Sequence, residues 1–146
     1  MKILTKIIND NIINVSITDE ISDIKSEFDY FSECWRKFYL DKTFFIFKID
    51  TTYLSKPDIK YCYKLAMLIR EFKNSDIQYL KYSIMVIPNT YIRYLLNLIL
   101  RIQPPVATIY VTKNTMEADS ILNYKLDNSV ILETFILINN VCVIET

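Results

Sequence analysis

A chain of 146 residues, 51% hydrophobic and 14% aromatic, has the length of one domain and a composition far from disorder. Its 17 basic and 17 acidic residues cancel, which argues against a phosphate backbone as the main partner. It contains neither His nor Gly. Without imidazole there is no Ser-His-Asp or Cys-His chemistry, and without Gly no P-loop, dinucleotide fingerprint or nucleophile elbow.

In chain order, Lys2–Ile8 and Ile12–Ile17 are β-branched runs around Asn9-Asp10-Asn11. They predict a β-hairpin whose turn uses Asn and Asp where Gly would normally sit. Thr18, followed by Asp19 and Glu20, has the chemistry of a helix start. Ile21, Ile24, Phe28, Phe31, Trp35 and Phe38 then recur at helical spacing, with polar residues between them. Thr43–Ile49 is almost continuously apolar and predicts a central strand. Asp58 to Lys73 predicts a second helix, with Pro57 in its first turn and Ser55 or Lys56 as its cap. Leu80–Ile87 predicts a strand that Pro88 ends, and Asn89 or Thr90 caps a helix running to about Ile102. Pro104-Pro105 stops that helix, and Val106–Thr112 predicts another strand. Asn114-Thr115-Met116-Glu117 opens a short helix to about Tyr124 in the manner of a capping box. Val130–Ile138 and Val141–Ile144, parted by Asn139-Asn140, predict strands and a β-rich tail over 129–146.

Strands alternating with helices of roughly 10–18 residues predict a single α/β domain over 1–146. Its sheet is mixed and centrally parallel, with an N-terminal hairpin and helices packed on it. Cys34, Cys62 and Cys142 are widely spaced and odd in number, which fits free thiols in a reducing compartment and no zinc. The stretch MKILTKIINDN lacks the apolar run of a signal peptide, and no run approaches the roughly 18–20 apolar residues of a membrane span. A cytoplasmic location is the expectation. Heavy use of Ile, Lys, Asn, Tyr and Phe resembles AT-rich coding, as in a large DNA virus, a protist or a bacterium.

This element order resembles the STAS domain, the module of bacterial anti-anti-sigma factors and sulfate-transporter tails. The likeness covers roughly 2–124 and is carried by Phe44–Asp50, Leu80–Pro88 and Val106–Ala118, where strands pass into helices at similar places. The resemblance implies an acidic residue followed by a phosphorylated Ser or Thr at the start of the helix after the central strand. Here Asp58 matches the acidic residue, but Ile59 stands at the acceptor position. Either Ser55 is the acceptor in a shifted register or the switch is lost, and the second reading is preferred.

Two places carry candidate functional residues. Asp50, Ser55 and Asp58 gather near the carboxyl end of the central strand, as a possible ligand or regulatory loop. The preferred reading is a strand-end turn and helix-start residues, since nothing beside them supplies a base, a nucleophile and an oxyanion donor together. Lys60-Tyr61-Cys62-Tyr63-Lys64 interleaves basic and aromatic residues, but on a helix these point in different directions.

The Thr90–Ile102 helix is more informative. Arg93, Asn97 and Arg101 form one narrow polar stripe, and the rest of its circumference is apolar, more than one sheet face needs. The surplus must be covered by neighbouring helices, by the C-terminal tail, by a second copy or by a partner. Arg93, Tyr94, Asn97, Leu98 and Arg101 are therefore the expected partner-binding residues. The expected function is a non-enzymatic protein interaction module, partnered or self-associating, with no catalytic residue, metal or cofactor. A structural component of a large DNA virus or other multi-subunit complex is the alternative. Nucleic-acid and small-molecule partners are disfavoured.

Overall fold

The computed structural model describes residues 1–127 and 129–146, apart from the side chains of 126–131. The element order is β1 (Lys2–Ile8), β2 (Ile12–Thr18), α1 (Ile24–Leu40), β3 (Phe45–Asp50), α2 (Ile59–Lys73), β4 (Leu80–Val86), α3 (Thr90–Ile102), β5 (Thr108–Thr112), α4 (Thr115–Asp127), α5 (Ser129–Asn139) and β6 (Cys142–Ile144). One six-stranded sheet runs in the order β1-β2-β3-β4-β5-β6. The strands β2 to β5 are parallel, and β1 and β6 close the two edges antiparallel. The expected mixed, centrally parallel α/β sheet is therefore present.

The sequential strand order fixes where the helices go. Each βαβ crossover steps in the same direction, and crossovers of one hand place their helices on one face. Accordingly α1, α2 and α3 share a core with Ile13, Val15, Phe45, Phe47, Met85, Ile87, Ile109 and Val111. Aromatic rings fill its centre: Trp35 stacks on Phe72 with centroids 4.5 Å apart and meets Phe47 edge-on at 4.8 Å. The connection from β5 to β6 joins antiparallel strands and carries no such constraint, and α4 and α5 cover Ile84, Val86 and Tyr110 on the opposite face.

Among the described residues, backbone positions with positive φ fall on Asn9 (51°), Asp10 (62°), Lys42 (51°) and Asn140 (54°). Three of the four are the Asn and Asp that a chain without Gly is expected to use. Lys42 is the exception, and it follows α1 in a Schellman arrangement: Thr43 N–H donates to Phe38 O at 3.0 Å and Lys42 N–H to Tyr39 O at 3.3 Å.

Two expectations are corrected. The first helix does not begin at Thr18. It begins at Ile24, capped by Asp23, whose side chain accepts from Ser26 N–H. The segment predicted as a strand over Val130–Ile138 lies in helix α5, so the tail is one helix and a three-residue strand. Leu132, Phe135 and Ile136, at helical spacing, join the second core, and Phe135 meets Tyr124 of α4 at 5.1 Å between centroids. Packing against α4 decided the conformation of an apolar run whose periodicity is ambiguous.

Candidate partner-binding surface

Helix α3 is set by its ends. Asn89 caps it, its Oδ1 accepting from Tyr91 N–H at 2.8 Å and Ile92 N–H at 3.3 Å. Gln103 closes it, donating its N–H to Ile99 O at 2.9 Å. Ile92, Leu96 and Leu100 are buried on the sheet, and Leu95 and Ile99 are half-buried beside α2. Arg93 is also half-buried, because its Nε donates to Ile87 O at 2.7 Å.

The outer face of α3 stays open. Tyr91 is 52% exposed, Tyr94 62%, Leu98 43% and Ile102 72%. At spacings of three and four they form one apolar stripe, bordered by the exposed Asn97 and Arg101. Of the five residues read from the sequence, Tyr94, Asn97, Leu98 and Arg101 share this outer surface, whereas Arg93 is tied to the end of β4. Tyr91 and Ile102 belong to the stripe and were missed. Their spacing relative to Leu98 was the available signal. The tail does not cover the stripe, since α5 packs with α4 on the other side of the sheet.

The loop after β3 is a different kind of place. Asp50 accepts from the backbone and hydroxyl of Thr52, closing its own turn. Asp58, not Ser55 or Lys56, caps α2 by accepting from Lys60 N–H at 2.9 Å. Ser55 is held by Asp19, which accepts from its hydroxyl and N–H and from Lys56 N–H at 2.9 Å. These bonds hold the Asp19 carboxyl at about 2, below its usual 3.8. Asp50, Ser55 and Asp58 are thus each engaged in local architecture. Asp19, read from the sequence as a first-turn acid, is the residue that ties two loops together.

In open α/β sheets the ligand crevice forms where adjacent connections leave opposite faces. That change falls between β4 and β5, whose helices α3 and α4 lie on opposite sides. It is closed here: Ile87 is fully buried and its N–H donates to Thr112 O at 2.8 Å, while Thr112 Oγ1 donates to Met85 O at 3.3 Å. A polar groove between α1 and α2 is spanned by Arg36 and Glu71 in a two-point pair at 2.8 and 3.1 Å. Among the described residues no three His, Cys, Asp or Glu side chains gather as metal ligands. Cys34 is buried, Cys62 half-buried and Cys142 exposed, all as free thiols, and burial raises the Cys62 thiol above its ordinary range. Among the described residues no helix is long and apolar enough to cross a membrane.

No protein-family model, curated protein or solved structure matches this chain.

Proposed function

We propose that this protein is a non-enzymatic interaction module that binds a protein partner through the outer face of α3. The observation that carries this reading is the apolar stripe of Tyr91, Tyr94, Leu98 and Ile102, left open by the chain's own tail. Burying a side chain of this size contributes about 1.5–3 kcal/mol, so three or four of them make a useful central patch. Aromatic residues at the centre and Arg at the border are the composition of such patches.

Charge narrows the partner. Helix α3 carries Arg93 and Arg101 and no carboxylate. Arg101 borders the stripe and helix α3 has no carboxylate to offer it, in this chain or in a second copy, so the fitting partner is a different protein with an apolar ridge edged by Asp or Glu. The element order that resembles STAS domains is compatible with such a role.

The test is Leu98→Glu together with Tyr94→Ala. Both variants are expected to keep the far-UV circular dichroism of the parent and to lose partner binding by more than about tenfold, since each removes about 1.4 kcal/mol or more. Sedimentation of the parent alone is expected to show a monomer. Undiminished binding by both folded variants would refute the reading.

A further inference from the structure

We propose that the partly open apolar cavity between the sheet and α1, α2 and α3 is a binding site for a single alkyl chain. Packed interiors leave few voids larger than a water molecule. This core holds a cavity of about 110 Å³ toward the carboxyl ends of the strands. Tyr61 and Leu65 of α2, Leu95 and Ile99 of α3, and Ile49 of β3 help to line it. A second space of about 50 Å³ lies further along the sheet and shares Ile49, Leu65 and Ile99 with the first. The two are neighbouring spaces divided by a common wall, so a ligand that parts these side chains would run along the sheet, a course that suits a flexible chain better than a ring.

The lining decides the chemistry. Thr51, at the end of β3, spends its hydroxyl on Val86 O at 2.8 Å, so it offers the cavity no free donor. Nothing there would compensate the burial of a charged or polar head, and such a group stays outside. An apolar cavity of comparable size stays dry and takes up hydrocarbon. Met1, Pro57 and Cys62, each partly exposed, line one end and mark the side on which the head remains. Recognition by shape alone makes no demand on the His and Gly that the chain lacks. The site is separate from the outer face of α3 and does not depend on a protein partner.

The experiment is calorimetric binding of straight-chain 1-alkanols, from butanol to decanol, to the full chain. Affinity is expected to rise about fourfold per methylene and then to level off once the two spaces are filled. A Leu65→Phe variant that fills the shared wall is expected to bind octanol at least tenfold more weakly. Octanol is also expected to slow alkylation of Cys62 by iodoacetamide in the parent, read by peptide mass, which decides the matter if Leu65→Phe does not fold. The chain can come from a free amphiphile or from a bilayer. Co-flotation with phosphatidylcholine vesicles would support the bilayer source, and octanol binding without flotation the free one. Affinity that does not depend on chain length, or that climbs through decanol without levelling, would overturn the proposal. So would unweakened binding by folded Leu65→Phe, or Cys62 alkylation indifferent to octanol.

Discussion

The carboxylate of Asp19 accepts the hydroxyl of Ser55, joining the loop that leaves β2 to the loop that leaves β3. The same carboxylate takes the backbone N–H groups of Ser55 and Lys56, and Asp19 N–H donates to Tyr53 O at 3.2 Å. Its pKa is held at about 2 by these bonds. A depressed carboxyl contributes stability that is fully present above its unfolded pKa and is lost as pH falls through the folded value. Asp19→Asn is therefore expected to be less stable than the parent at pH 7. The gap should close as pH falls from about 3.8 toward 2. Urea denaturation at a series of pH values measures it, and a gap independent of pH would contradict the assignment.

The same clasp bears on regulation at Ser55. A phosphate there would place one to two extra negative charges against Asp19. Ser55→Glu is expected to open the clasp and speed amide exchange at Ser55 and Lys56, whereas Ser55→Ala removes one hydrogen bond and has a smaller effect. Hydrogen exchange followed residue by residue distinguishes the two. Equal protection in both variants would show that the contact does not hold the loop.

Lys42 takes a left-handed conformation after α1, where Gly is the residue without a steric penalty. Lys42→Gly is expected to stabilise the protein by about 1 kcal/mol, the relief of left-handed strain less the added freedom of the unfolded chain. Thermal unfolding would show a rise of about 2–4 °C for a domain of this size. A fall would mean that the Lys42 side chain contributes more than its backbone costs.

Leu96 and Leu98 stand two residues apart on α3, and one is buried while the other is 43% exposed. Leu96→Ala is expected to cost about 2–5 kcal/mol as a core deletion. Leu98→Ala is expected to cost less than about 1 kcal/mol, because much of that side chain is already in water. Denaturant melts of the two variants compare them directly, and equal losses would place Leu98 in the core.

Much of this architecture was legible because the breaks between elements have local causes. Pro88 and Asn89 mark the start of α3, Pro104-Pro105 lies just beyond its end, and β1 and β2 turn on Asn9 and Asp10. The errors arose where a tertiary contact decides what the local sequence leaves open. Thr18-Asp19-Glu20 has cap chemistry, but Asp19 is spent on Ser55, 36 positions away, and the helix waits for Asp23. The run over 130–138 is rich in β-branched residues, and it is helical because α4 offers it a surface. The candidate surface was partly legible for a similar reason. Helix α3 is apolar around most of its circumference, so its sequence alone does not say which side meets the sheet. Arg93 looked like part of an outer stripe until Ile87 O claimed its Nε.

The outer face of α3 is proposed to meet another protein. The measurement places a photo-crosslinking amino acid at Tyr94 in the cell that encodes the protein, with Tyr53 on the β3–α2 loop, more exposed still at 76% against 62%, as the control. One adduct of defined mass is expected from position 94, absent from position 53 and lost when Leu98→Glu is introduced beside it. No adduct at 94, or the same adducts at both positions, would contradict it.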